Sequence, residues 1–445
     1  MTSVLWFRRD LRLADHLALV EAAGHGPVIP LFVLDPALLR PAGAPRIAFL
    51  YRCLRVLDES VGGRLVVRAG DPAHVVPVIA AEAGTERVYG SWDAGPYGNR
   101  RDDAVRSALY AAGRSLSLVG SPYAVDPGSL YKADGRPFRV FSPFYRAWRA
   151  HGWGDPVPAV DVRWAAGPTS EPIPADPPLD ASLPPAGEAA ALARLDAFAV
   201  DDYQRERDRP AADATSRLSP YLKYGCLHPR TILARLGGSP AHEKFRSELA
   251  WREFYADVLW HRPEAARESL QPAMAAMKLD TGTQADERFE AWAQGRTGYP
   301  LVDAGMRQLR AEAWVPNRVR MVTASFLVKD LHIDWTRGAR WFMRHLVDGD
   351  LASNNLNWQW VAGTGTDPAP YFRVFNPTTQ AREHDPDGSY VRRWVPELAG
   401  VPGPAVHEPW KLAGGAPAGY PAPIVDHAAE RAEAIFRYES LKSRP

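Results

Sequence analysis

Over the first 130 residues, short apolar runs alternate with stretches whose apolar positions recur at helical spacing. The runs are 4–7, 28–34, 65–67, 87–89 and a weaker one at 116–119; helical spacing covers 47–59, 72–83 and 100–112. Short strands alternating with helices predict a parallel sheet covered on both faces. Residues 1–130 are therefore expected to form an α/β domain with a Rossmann-like parallel sheet. The turn after the first run reads Arg8-Arg9-Asp10 and carries no GxGxxG, which disfavours ordinary NAD binding. Residues 131–195 read as a connector, because 152–190 are rich in Pro, Ala, Gly and Asp and lack periodicity. From about Glu188 the strand signals fade. Long helical patterns at 245–260 and 319–331 predict a large all-α domain over 196–445, closed by an amphipathic docking helix at 426–442.

Composition narrows the class. A chain of 445 residues holds two or three domains and a large core. Its net charge of +1 gives no global case for nucleic acid, so any such case must be local. The two cysteines, Cys53 and Cys226, lie far apart in sequence and have no metal-ligand neighbourhood, which suggests a reducing compartment and no disulfide framework. The apolar run at the N-terminus is too short for a signal peptide, and no run approaches a membrane span. A cytoplasmic protein with no membrane partner is expected.

The densest chemistry lies between Trp314 and Gln380, where tryptophans, amides, arginines and two close aspartates crowd together. Indoles stack on planar rings, guanidinium forks hold phosphate, and amides read the edge of a heterocycle. Planar, heteroaromatic, phosphorylated ligands are implied. Upstream, Thr215-Ser216-Arg217-Leu218-Ser219 offers hydroxyls and backbone amides at a helix start, an anion site or a plain cap. Glu248, Trp251, Arg252 and Tyr255 fall at i, i+3, i+4 and i+7, one face of a helix. Pro316 suits a first helical turn, after which Asn317, Arg320 and Met321 share a face. Asp348-Gly349-Asp350 beside His345 could hold a divalent metal, but further oxygen ligands are lacking and no metal is expected.

In order and spacing these segments resemble the photolyase/cryptochrome family, in particular the class I cyclobutane pyrimidine dimer photolyases, over almost the whole chain. The resemblance implies light-driven DNA repair, in which excited reduced FAD passes an electron to a flipped-out dimer. It implies that Tyr203 and Thr215 to Ser219 grip the FAD phosphates. Phe245 (a Trp in some relatives), Glu248, Arg252, Trp314, Asn317, Arg320, Asp348, Asp350 and Asn354 are implied to complete the cofactor site, with Asp348 paired to Arg320 and Asn354 close to the flavin N5. Glu248, Trp251, Asn317, Met321 and Trp360 are implied to meet the lesion, the two indoles forming a sandwich around it. Arg207, Trp251, Arg252, Arg318, Arg373 and Gln380 are implied DNA contacts.

Trp358 and Trp335 match the two inner members of an electron-carrying tryptophan chain. The outer member is missing near Gly282, and Trp341 is a candidate substitute. Lys223 and Asp93 match relatives whose antenna is 8-hydroxy-5-deazaflavin, although Gly95 replaces an expected acid; methenyltetrahydrofolate, flavin mononucleotide or no antenna are the alternatives. Relatives that repair (6-4) photoproducts carry paired histidines where this chain has none between Trp314 and Met321. A signalling cryptochrome often loses the acid at Glu248. Repair of cyclobutane dimers in DNA by a monomer is the expectation, with a non-repairing cryptochrome or a (6-4) photolyase as alternatives.

Overall fold

A computed structural model describes residues 2–442. Five strands, β1 (Ser3–Phe7), β2 (Val28–Leu34), β3 (Val66–Ala69), β4 (Arg87–Gly90) and β5 (Ser115–Leu118), form one sheet in the order β3-β2-β1-β4-β5. All four pairings are parallel. β1 and β2 are buried throughout, and apolar except at Ser3, because both faces are covered by helices. The helices Ala44–Ser60, Pro72–Glu82 and Pro96–Ala111 match the periodic stretches to within a few residues. A fourth helix, Leu17–Gly24, makes the β1-to-β2 crossover. It went unseen because eight residues rich in alanine give a weak apolar period.

The order of strands reverses between β1 and β4. In open parallel sheets the crevice beyond the strand ends at such a switch point is the usual place for a ligand. Here it is formed by Arg8-Arg9-Asp10 after β1 and Ser91-Trp92-Asp93 after β4.

Residues 152–187 carry no helix and wrap the sheet. Ala165 N–H donates to the Val28 carbonyl at 2.9 Å, and Glu171 N–H to that of Val67 at 2.8 Å. The helix Phe141–His151, which precedes this stretch, packs on the helix Pro240–His261, where Trp148 Nε1–H donates to Glu253 at 2.6 Å. From Glu188 onward the chain is helical. The helix Pro240–His261 starts at a Ser239 cap followed by proline, and its 22 residues make it the longest of the described elements. The 317 segment begins at Asn317, capped by Pro316, and its last turn, Phe326–Asp330, widens to π geometry. The closing helix His427–Lys442 is present. Among the described residues, no helix is long and apolar enough to cross a membrane.

One apolar cluster runs through both domains. Phe49 of the α/β domain packs on Tyr224 and Tyr221 of the helical one, with centroids 5.1 and 6.0 Å apart. The two cysteines, distant in sequence, meet in this shared core as free buried thiols with sulfurs 3.6 Å apart. A second cluster lies wholly within the helical domain.

Candidate functional site

A cavity of about 450 Å³ opens into the helical domain. Its walls come from the segment around Tyr203–Ser219, the helix Pro240–His261, the Trp314–Ala324 segment and the helix Leu351–Ala362. Tyr203, Thr215, Ser219, Phe245, Glu248, Trp251, Arg252, Trp314, Asn317, Arg320, Met321, Asp348, Asp350, Asn354, Trp358 and Trp360 all line it. Residues scattered over 158 positions of sequence thus converge on one space.

At one end the two aspartates turn apart. Asp348 accepts from Arg320 at 2.8 Å and from the Ser219 hydroxyl at 2.6 Å. Trp314 Nε1–H reaches the same hydroxyl at 3.3 Å. Asp350 caps the helix Leu351–Ala362 by accepting from Ser353 N–H at 3.1 Å, and pairs with Arg9 of the α/β domain at 2.7 Å. The Arg9 and Lys223 charges hold its carboxyl well below the usual range, against the desolvation of burial. Each carboxylate is thus paired with its own cations. Among the described residues, no cluster of three or more His, Cys, Asp and Glu is arranged to hold a metal. Asn354 donates both amide hydrogens, to the Ala339 carbonyl at 3.1 Å and Asn355 at 2.8 Å. Among the described residues no donor reaches its Oδ1, which can therefore serve a ligand as an acceptor.

Elsewhere on the lining, Glu248 is held by Arg207 and by Lys244, the latter at 3.3 Å. Trp251 and Trp360 are half-buried on the wall. Arg252 donates inward, to the carbonyls of Pro122 at 2.9 Å and Leu222 at 3.2 Å, and lies 4.6 Å over the Tyr123 ring.

The other expected residues lie around the cavity. Leu218 is buried behind it, and Ser216 Oγ accepts from Leu218 N–H at 3.3 Å. Arg217 adopts φ 48°, unusual for a side-chain-bearing residue, and places its guanidinium 4.4 Å over Trp314. Arg318 reaches Asp208 at 3.0 Å and Gln380 at 3.4 Å, while Arg373 is exposed. Trp335 is buried outside the cavity, its Nε1–H donating to Ser269. Lys223 lines the cavity and lies 3.9 Å from Asp350. Asp93 lies in the α/β domain, 3.7 Å from Arg9 and 3.4 Å from Arg101. Arg9 therefore joins the expected antenna residue Asp93 to the expected cofactor residue Asp350.

Sequence reasoning did not single out Arg9, Lys244 or Asn357. Lys244 sits four residues before Glu248, and Asn357 three after Asn354, so helical spacing could have found both. Arg9 had no such signal, because its partners are 84 and 341 residues away.

Residues 3–162 match the family model for DNA photolyase, and residues 245–440 match that for the FAD binding domain of DNA photolyase. The chain is 44% identical to a deoxyribodipyrimidine photo-lyase of Streptomyces griseus, over 97% of each chain. It is 38% identical to that of Escherichia coli, over 99% of each. In structure it is similar to a bacterial class III photolyase from Agrobacterium tumefaciens, with a TM-score of 0.92 and 37% identity, covering 100% of this chain and 98% of that one. It is also similar to an archaeal photolyase from Sulfolobus tokodaii that holds two FAD molecules, with a TM-score of 0.88 and 32% identity, covering 99% of this chain and 100% of the other.

Proposed function

The chain belongs to the DNA photolyase family, and from that premise we propose that its helical cavity performs light-driven splitting of cyclobutane pyrimidine dimers in DNA. The observation that carries the reading is a single cavity lined by Glu248, Trp251 and Trp360 together with the Arg320–Asp348–Ser219 network, Asp350 and Asn354.

The donor set fits FAD. Hydroxyls of Tyr203 and Thr215 suit its phosphates, and Asp350 and the Asn354 Oδ1 suit N–H groups on the edge of its ring. Bound and reduced, FAD supplies a light-excited electron that is lent to the dimer and regained once the cyclobutane bonds have opened. The protein's own task is placement. Bringing the dimer out of the duplex costs a few kcal/mol, less for a lesion that stacks poorly. Contact with the Trp251 and Trp360 faces returns about 1–3 kcal/mol per base. Glu248, steadied by Arg207 and Lys244, accepts a hydrogen bond from the displaced pyrimidines. Arg207, Arg318 and Arg373, with Gln380 beside Arg318, face the flanking phosphates, so affinity falls as salt rises.

A second chromophore in the α/β domain is best read as 8-hydroxy-5-deazaflavin. The support is Asp93 and Arg9 at the switch point, linked through Asp350 to Lys223 on the wall of the main cavity, which together offer a cation and an acid to a polar ring. The Sulfolobus tokodaii structure makes a second FAD the alternative worth testing beside folate. The enzyme is proposed to act as a cytoplasmic monomer, consistent with its two free thiols.

The decisive experiment mixes the FAD-loaded, reduced protein with DNA carrying thymine dimers and follows dimer loss in darkness and under near-UV or blue light. Loss only in the light is expected. Equal loss in darkness, or no flavin retained after reconstitution, overturns the reading.

A further inference from the structure

Trp251 does not stand alone on the wall. Phe141, the first residue of the helix Phe141–His151, stacks on it with centroids 3.7 Å apart and planes 9° from parallel. Phe141 is held in turn by Tyr145, stacked at 5.6 Å, and by the edge of Phe254 at 5.9 Å. One face of the Trp251 indole is therefore covered by protein, while the residue also lines the cavity.

The start of that helix is fastened in an unusual way. Val140, at its N-cap, has no side chain able to cap it. The Phe141 N–H is taken by Asp367, 226 residues away, at 2.9 Å. The neighbouring Thr366 hydroxyl donates to the Arg139 carbonyl at 3.1 Å. Thr366 and Asp367 belong to the loop that leaves the helix Leu351–Ala362, which carries Trp360. That loop is tied back to the helix, because Ala369 N–H donates to the Trp360 carbonyl at 3.1 Å and Gly365 N–H to the Gln359 carbonyl at 3.2 Å.

The two indoles also pack on different cores. Trp251 lies against the cluster shared by both domains, and Trp360 against the cluster confined to the helical domain. The segment 139–141 stacks on the first wall and is hydrogen-bonded to the loop behind the second. We propose that this strap sets the spacing and tilt of Trp251 against Trp360, so that Phe141 and Asp367 are positioning residues for recognising a dimer over undamaged pyrimidines. The proposal rests on the reading of these two indoles as the walls of the lesion site.

The physical reason is the steepness of dispersion. A gap of about 0.5–1 Å forfeits a quarter to a half of the contact attraction. The χ2 torsion of tryptophan is broad, so ring tilt must be fixed by neighbours rather than by the rotamer itself. A flat ring on the covered face at 3.7 Å provides that constraint.

The test uses the FAD-loaded protein and two duplexes of one sequence, with and without a thymine dimer, and reads the ratio of their dissociation constants. Phe141→Ala is expected to cut the preference for the dimer about fivefold, and Asp367→Ala to cut it in the same direction. Phe141→Tyr and Asp367→Asn, which keep a flat ring and an acceptor, should restore the preference. FAD absorbance and melting temperature report on folding, and Asp367→Ala decides the matter if Phe141→Ala does not hold FAD. An unchanged ratio, or equal loss on both duplexes, overturns the proposal. Trp251→Ala separates the two levels. If it lowers the ratio while the strap variants do not, only the strap is wrong; if it too leaves the ratio unchanged, the lesion-wall reading falls with it.

Discussion

Lys223 shows how one charge can belong to two sites. It was expected to mark an antenna, yet it lines the main cavity and faces Asp350. Burial, reinforced by the Arg9 charge, pulls its ammonium down from 10.5 to about 7, while Asp350 pulls the other way. The direction of the pH effect follows. Between about 7 and 10.5 the unfolded chain holds this proton and the folded chain does not, so this group adds to stability as pH rises through that window. Below about 7 the folded protein carries the cation that an ionised ring hydroxyl needs. Uptake of 8-hydroxy-5-deazaflavin by the FAD-containing protein should therefore weaken as pH rises from 6 to 8.5 across the value of about 7, and Lys223→Met should flatten that dependence. Uptake measured beside folate and FAD checks the identity. Selective uptake of folate or of a second FAD, or deazaflavin uptake indifferent to pH in the parent, would count against the assignment.

At the scale of elements, the helix Thr283–Gln294 replaces a missing part. Its N-cap is Gly282 at φ 84°, so no outer indole stands where the resemblance places one. Three other residues, two of them tryptophans, extend the aromatic contacts instead. Trp358 on the cavity wall meets Trp292 at 6.1 Å, Trp292 meets Phe289 at 5.6 Å, and Phe289 meets Trp341 at 5.9 Å. Trp341 is half-buried and stacks on His345 at 4.1 Å. Light-driven reduction of bound oxidised FAD by an external donor should fall severalfold in Trp341→Phe, while repair by chemically pre-reduced protein stays at the parent rate. Equal photoreduction in both proteins rules out Trp341 as the exit. Periodicity made the long helices around 44–60, 72–82, 96–111 and 240–261 and all five strands legible, because a half-buried helix and a fully buried strand leave different spacings in the sequence, while most of the short helices left no such signal. The same signal placed Glu248, Trp251 and Arg252 on one face. It could not reveal Phe141 against Trp251, or Arg9 against Asp350, since those pairs are set by tertiary packing between residues 110 and 341 positions apart.

Taken whole, the molecule has two domains by topology but is joined through one core. Phe49, wholly buried in the helix Ala44–Ser60, lies against Tyr221 and Tyr224 of the short helix that starts at Ser219. That helix supplies both the Ser219 hydroxyl on Asp348 and Lys223 beside Asp350. Arg9 adds an ion pair across the same boundary, and the Cys53–Cys226 contact lies within it. Multidomain chains often unfold in separate steps, but here neither domain can open without exposing core residues of the other. Urea unfolding should therefore give coincident transitions for far-UV circular dichroism and for FAD release. Phe49→Ala leaves a cavity in the shared core and should cost about 3–5 kcal/mol. It should move both transitions to lower urea together, although Phe49 does not line the FAD cavity. If circular dichroism shifts while FAD release stays at the parent midpoint, the domains are thermodynamically separate and the shared core does not couple them.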